Sequence, residues 1–449
     1  MELLKVSDKK NVSNKGNVSD ERNVSDKGNV SDKGNVSDKW SISDKEIAKG
    51  SNGAVIFEGS YGTQPARKVV VKRVVGVCSD VRREEYNMYT EADGFSNIVR
   101  CYGMESDRRY VYLFLEPCIC SLNDLVQIYS PYALQIFQFE SEKMRLISVK
   151  NVLGNRVTLW KENDYPSPLL IKLIRDVVCG LVNLHENKIV HLNLTPQNIL
   201  IAGKTPNLCA KLSDMAKSKK CRGDNSSSSH YATSSGQLQF HREADKDLFL
   251  FRYILSFCIH GGRYQFFDPP EHYNANRSPP EAADLISQLI SKYASMRPKA
   301  IDVYHHPLFW NSDKKLSFLR DTSDMVEGNK KGQLSKELRN LQGQIIGSSW
   351  DTKIDSKLIS AIEDRGVRFF RHYSYNNFVD LLHLVRNYFH HYLELPKDIQ
   401  ELLGSKQEGY YEYFETRFPK LLIEVYKVVR KFCKEEDGFQ KYFHSNLAE

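Results

Sequence analysis

HLNLTPQNIL (residues 191–200), followed closely by KLSDMA (residues 211–216), decides how this chain is read. The pair predicts strand, loop, strand between Ile189 and Leu212, with the polar side chains of His191, Asn193, Asn198 and Asp214 on the connecting loops. Upstream, Leu169 to Glu186 has helical periodicity. Further upstream, EIAKGSNGAVIFEGSY and ARKVVVKRVVGV read as strands joined by a glycine-bearing turn, and SDVRREEYNMYTEA as a helix. Gly50 and Gly53, next to Val55, would let a backbone lie close over phosphates, although a tight hairpin turn needs glycine too. Lys72 could pair with phosphate oxygens and Glu85 on the next helix could hold it; an exposed strand lysine and a surface glutamate are the plainer alternatives.

In this order and spacing the segments resemble the protein-kinase fold, with Met296-Arg297-Pro298 and HHPLFW matching its last helices. The resemblance implies an ATP or ADP site formed by Gly50, Gly53, Val55, Lys72, Glu85, Glu116, Cys118, Asn198 and Asp214, with Mg²⁺ held by Asn198 and Asp214 through the nucleotide. The departures matter as much. Kinases carry His-Arg-Asp where this chain has His191-Leu192-Asn193, and an amide cannot accept the substrate hydroxyl proton. Loss of a general base costs ~10²–10⁴ in rate. Thr195 replaces the kinase lysine, Asp214-Met215-Ala216 replaces Asp-Phe-Gly, and Ala48 replaces the first loop glycine. The expectation is a nucleotide-binding pseudokinase in which nucleotide acts as a conformational ligand.

YSYNNFVDLLHLVRNYFHHYLELP (residues 373–396) gathers Tyr373, Arg386, Asn387 and His391 in one amphipathic stretch. Cleaving RNA through its own 2′-hydroxyl needs an acid, a base and a cation, and no metal. Asn387 and His391 are four apart, so on a helix they point the same way, and Arg386 is adjacent. An unperturbed phenol titrates near ~10, so a basic role for Tyr373 needs help, for which Arg386 is the nearby candidate. Each residue has a bland alternative: His391 as a cap, Tyr373 as a core ring, Arg386 as an ion-pair partner.

HPLFWNSDKKLSFLRDTSDMVE followed by residues 373–396 resembles the inositol-requiring kinase/endoribonuclease family of the unfolded-protein response, especially plant-like members, with ribonuclease L as a more distant relative. The resemblance covers the cytosolic half of such proteins, residues 46 to 446 here. It implies Tyr373 as the base or its positioning partner, His391 as the acid for the leaving 5′-oxygen, and Arg386 and Asn387 as holders of the scissile phosphate. It further implies stem-loop RNA as substrate, and pairing into homodimers or with full-length relatives. The implied fold is α+β: a two-lobed kinase-like domain (46–310) fused to an all-α, KEN-type endoribonuclease domain (311–449). A catalytically silent modulator of full-length relatives, or a residually active Ser/Thr kinase, are the other readings.

Composition fits this picture. Hydrophobic content of 41% and 27% charged residues suit a globular protein, and a net charge of +7 is compatible with a polyanionic partner without specifying one. Nine scattered cysteines without CxxC spacing suggest reduced thiols rather than a disulfide frame. MELLKVSDKK has no long apolar stretch, and the run Leu248–Ile259 is too short to span a bilayer. A cytoplasmic location is therefore expected, with access to the cytosolic face of the endoplasmic reticulum through partners. Residues 5–45 repeat a polar hexad with one Val or Ile each, which predicts a disordered tail over 1–45. Residues 130–165 read as an insertion with its own hairpin turning at Gly154-Asn155, and Arg222–Gly236 as a Ser-rich loop. Helices are expected at Asp247–Ile259, Pro280–Lys292, Ser356–Arg365, Asn377–Tyr392 and Tyr410–Cys433.

Overall fold

Strand alternation builds the first layer. A computed structural model of the chain describes residues 39–444, apart from 51–52, 64, 76–78, 131–139, 155, 222–229, 263–277, 292, 294–295 and 364–371. Strands β1 (Trp40–Lys49), β2 (Val55–Tyr61), β3 (Arg67–Val75), β4 (Cys101–Ser106) and β5 (Tyr110–Leu115) form one antiparallel sheet in the order β1-β2-β3-β5-β4. Along β3, Val69 and Val71 pack with Phe57, Tyr112 and Phe114 on one face. The intervening Lys72, also buried, lies on the other. Helix α1 (Ser79–Glu91) covers that second face.

Residues 40–45, expected to belong to the tail, are strand. Trp40 opens β1, and its ring lies 4.9 Å from Tyr112 and 5.5 Å from Phe114. The anchored indole supplies an apolar contact, and residues 40–45 join the sheet. Residues 1–38 lie outside the described part.

The second lobe is helical around α4. After the short β6 (Cys120–Ser121) comes α2 (Leu122–Tyr129), capped by Ser121, whose hydroxyl accepts the Asp124 N–H while Asp124 accepts the Ser121 N–H. Helix α3 (Glu140–Leu153) occupies the insertion, so the expected hairpin is a helix; Gly154, at φ +73°, ends it rather than turning a hairpin. Helix α4 (Pro168–Glu186) starts at an Ser167 cap with Pro168 in the first turn. Leu170, Leu173, Ile174, Val177, Val178 and Leu181 are fully buried along it, each contributing roughly 1.5–3 kcal/mol. The loop-bearing strands β7 (Ile189–Val190), β8 (Ile199–Lys204) and β9 (Asn207–Leu212) follow as expected, then β10 (Lys219–Lys220), which pairs with β7. Helix α5 (His230–Ile259) begins inside the stretch expected to be a Ser-rich loop, and α6 (Pro280–Leu289) and α7 (Ala300–Tyr304) complete the lobe.

Beyond Trp310 the chain is helical: α8 (Ser312–Gly328), α9 (Gln333–Asn340), α10 (Gln342–Ile345), α11 (Ser356–Glu363), α12 (Phe378–His390), α13 (Lys397–Leu403), α14 (Glu408–Arg417), α15 (Leu421–Cys433) and α16 (Asp437–Phe443). The expected single helix Tyr410–Cys433 is two, because Pro419 cannot continue α14. Trp310, Phe318, Tyr426 and Tyr442 form an aromatic knot at the root of this unit. The join to the lobe above has no spacer. The Trp310 indole donates to the His305 carbonyl (3.0 Å), and Asn311 already caps α8. Lys427 and Arg430 of α15 reach Asp284 of α6 (3.0 Å) and Asp302 of α7 (3.2 Å). Among the described residues no helix is long and apolar enough to cross a membrane.

Candidate functional site

The loop quoted first folds around a buried carboxylate. Asp247 of α5 has no exposed surface, and it accepts the backbone N–H groups of His191 (2.8 Å) and Leu192 (2.7 Å). His185 approaches the same carboxylate at 3.0 Å. These bonds hold Leu192 at φ +58°, which presents Asn193 towards Asp214. His191 packs below with a ring nitrogen 3.0 Å from the Ser213 carbonyl, and burial lowers its pKa.

Lys72 stands between two carboxylates, Glu85 at 2.7 Å and Asp214 at 2.6 Å, and all three are buried. The other Asp214 oxygen accepts the Asn193 side-chain amide at 2.8 Å. Asn198 in turn donates its amide to the Asn193 carbonyl (2.8 Å). The Asp214 N–H is taken by the hydroxyl of Tyr89, a buried residue that sequence reasoning overlooked and that only α1 packing brings here. Gly50 donates its N–H to the Ala54 carbonyl (2.8 Å), and Gly53 sits at φ +72°, a conformation glycine adopts readily.

Glu116 is tied into the lobe by both its side chain and its backbone. Its carboxylate pairs with Lys211 (2.9 Å) and accepts the Arg100 N–H, and its own N–H goes to the Arg100 carbonyl. Its carboxylate is thereby committed to the lobe itself. Cys118 is half-buried, and burial, then the Glu116 charge, pushes its thiol up to about 12, so it serves as a neutral wall residue. Magnesium takes hard oxygen ligands. The Asp214 carboxylate and the Asn198 carboxamide oxygen are of that kind. The donor set fits the ion, whose charge would offset nucleotide phosphates.

The second site lies at the C-terminal end of α12. Asn377 caps that helix, its side-chain oxygen accepting the Val379 N–H, and nine apolar and ring side chains bury its inner face. Arg386 and Asn387 fall in the last turn. Tyr373 arrives from the preceding segment, edge-on to the buried Trp350 at 6.4 Å. The Asn387 side-chain Nδ2 donates to the Tyr373 hydroxyl at 2.9 Å, and Arg386 Nε donates to the Asn387 side-chain Oδ1 at 3.0 Å. Three of the four expected groups thus form one hydrogen-bonded chain. The Asn387 amide stands between the phenol and the guanidinium.

Arg386 turns its free end to α8, where Asp324 (2.5 Å) and Glu327 grip it. Burial pulls its pKa down, and those two carboxylates more than restore it. His391 is not inside the helix as expected but caps it, with its N–H bonded to the Asn387 carbonyl (3.0 Å). Its imidazole is partly exposed, with Nδ1 3.0 Å from Glu394. His390 and Tyr388 flank the group; burial lowers the former's pKa and raises the latter's. Sequence reasoning missed Asp324, Glu327 and Glu394. The spacing of Glu394 from His391 was visible; the two α8 acids, 62 and 59 positions away, left no local signal.

A kinase-like two-lobed unit that carries a helical nuclease-type unit without a spacer defines a recognisable class. Residues 42–241 match the protein kinase domain family and residues 315–443 the Ribonuclease 2-5A family. The chain is 43% identical over 424 residues to serine/threonine-protein kinase/endoribonuclease IRE1b of Arabidopsis thaliana, covering 89% of this chain and 47% of that protein. It is 33% identical over 437 residues to an inactive serine/threonine-protein kinase/endoribonuclease IRE1-like protein of the same plant (89% and 77%). Against the sensor for unfolded proteins in the ER, ire1, of Schizosaccharomyces pombe it is 29% identical over 450 residues (88% and 38%). The chain belongs to the IRE1 family. It spans about half the length of the Arabidopsis IRE1b and less of the fission-yeast sensor.

Proposed function

We propose that this chain is an endoribonuclease that cleaves stem-loop RNA without a metal in the cleavage step, under the control of a nucleotide-binding pseudokinase domain. The 2′-hydroxyl attacks phosphorus while the P–O5′ bond breaks. The hydroxyl proton passes to the Tyr373 side, and a proton from His391 passes to the leaving 5′-oxygen. The products are a 2′,3′-cyclic phosphate and a 5′-hydroxyl. Arg386 and Asn387 bind the scissile phosphate, and Trp350 stiffens Tyr373 behind them. The observation that supports this most is the unbroken chain Tyr373–Asn387–Arg386, with His391 bonded back to Asn387 through the main chain. An imidazole suits the acid role because the residue type titrates near neutrality.

ATP or ADP with Mg²⁺ sits at Lys72, Asn198 and Asp214 and acts as a regulatory ligand. Asn193 donates a hydrogen bond where a kinase base would accept a proton, which supports a silent phosphotransfer site. By analogy with the relatives named above, the chain works as a homodimer or with full-length members, in the cytoplasm or at the cytosolic face of the endoplasmic reticulum. A second reading, a catalytically silent modulator of such members, draws on the double carboxylate grip that already neutralises Arg386.

Incubation of the purified chain with a hairpin RNA in excess EDTA tests the assignment. The expected result is cleavage to a cyclic phosphate that falls by at least ~10² in His391→Ala, the contribution of a general acid. No cleavage by the wild-type chain with nucleotide present would favour the modulator, and cleavage untouched by His391→Ala would end the mechanism.

A further inference from the structure

Glu394 lies three residues past His391, outside the four groups assigned to chemistry. Its carboxylate is 3.0 Å from His391 Nδ1. A carboxylate accepts, so Nδ1 carries the hydrogen, and the proton that the imidazolium can give away is the one on Nε2. Both side chains are partly exposed, and the turn that carries Glu394 is fixed at its backbone. The Glu394 N–H donates to the His391 carbonyl at 2.8 Å, closing the 3-10 turn Tyr392–Glu394 on the helix end. Tyr392 pins that turn into the core, its hydroxyl donating to the carbonyls of Gln400 (3.2 Å) and Gly404. The imidazole is therefore held from both ends. Its backbone hangs from Asn387 and its Nδ1 from a carboxylate on an anchored turn.

We propose that Glu394 is a positioning residue for His391: it fixes the ring orientation and places the transferable proton on Nε2, facing the leaving oxygen. This rests on the ribonuclease reading above and adds to it the device that makes the acid competent. In the cleavage step the Nε2–H proton moves to O5′ as the P–O5′ bond breaks, and Nδ1–H stays on Glu394 throughout. Gln at 394 keeps an accepting oxygen for Nδ1–H; Ala keeps none.

The test compares two substrates of the same hairpin sequence, one with the natural 5′-oxygen at the scissile bond and one with a bridging 5′-sulfur. A departing thiolate needs no acid. Glu394→Ala is expected to slow the oxygen substrate about tenfold or more in kcat, a share of the ~10²–10⁴ that a general acid supplies, with KM little changed. It should leave the sulfur substrate near the wild-type rate, and Glu394→Gln should recover much of the loss. Equal slowing of both substrates would mean that Glu394 merely supports the fold, and wild-type rates on the oxygen substrate would mean that it is a surface pair; either result overturns the proposal. His391→Ala is run alongside. If that variant cleaves the oxygen substrate normally, the ribonuclease mechanism itself fails, whatever Glu394 does.

Discussion

The side-chain amide of Asn193 donates to the Asp214 carboxylate at 2.8 Å, at the position where a kinase keeps its proton acceptor. The same carboxylate takes Lys72 on its other oxygen. The amide is thus a structural replacement, not a vacancy: it supplies a donor that an aspartate could not.

Restoring the family's acid should do harm. In Asn193→Asp the lost donor and the new charge face Asp214 directly, two like carboxylates in one buried pocket. The expected cost is about 1–3 kcal/mol, read as a lower Tm in EDTA. No phosphotransfer should appear in an ATP assay, because Thr195 still stands where kinases have lysine. A variant as stable as the parent would show that the 2.8 Å bond carries no weight.

Tyr373→Phe removes the acceptor of the Asn387 amide. Stability should fall by about 1 kcal/mol, since the amide is only partly buried and can turn to water. RNA cleavage should fall much further, ~10²-fold or more, if the hydroxyl handles the 2′-proton. Thermal unfolding and single-turnover cleavage on the same preparation separate the two effects.

Arg386 can serve a phosphate only by sharing or leaving Asp324 and Glu327. The double variant Asp324→Asn, Glu327→Gln removes two competing anions. Filter binding should then show tighter RNA association, and the slope of log K against log salt should steepen by about one. Weaker binding would mean instead that the two acids aim the guanidinium at its target.

How much of this was legible in the chain differs from place to place. β2, β3, α1 and α4 follow directly from alternation and helical spacing, because each buries its own pattern locally, whereas β4 and the first half of β1 were not foreseen. Residues 140–153 misled: Ile147, Val149, Val152 and a Gly-Asn pair look like hairpin chemistry, yet Gly154 is a helix stop, and tertiary packing overrode β propensity. Tyr373, Arg386, Asn387 and His391 were found by spacing. Their partners on α8 were not, since a grip formed across some 60 residues exists only once α8 and α12 pack. Asn193 was singled out by its identity alone, and its partner depends on the bend at Leu192 that Asp247 imposes.

Acid should loosen the seam between the two halves. His305 is buried, its Nε2 meets no partner among the described residues, and burial, then Lys314 and His444, lowers its pKa to about 4. An unfolded histidine titrates near ~6.5. Because the folded value is the lower one, its contribution is fully present above ~6.5 and drains away as pH falls towards about 4. Melting temperature should drop through that window more steeply for the wild-type chain than for His305→Phe, whose ring can keep the edge contact with Tyr304. Parallel curves would remove His305 from the account.

The indole of Trp310 bonded to His305, with Lys427 and Arg430 riveted across the same seam, leaves no slack for one half to swivel on the other. A ligand that settles at Lys72 therefore has no hinge there to work. What it could move lies above the seam, so coupling from Lys72 to Arg386 would have to run through some other contact.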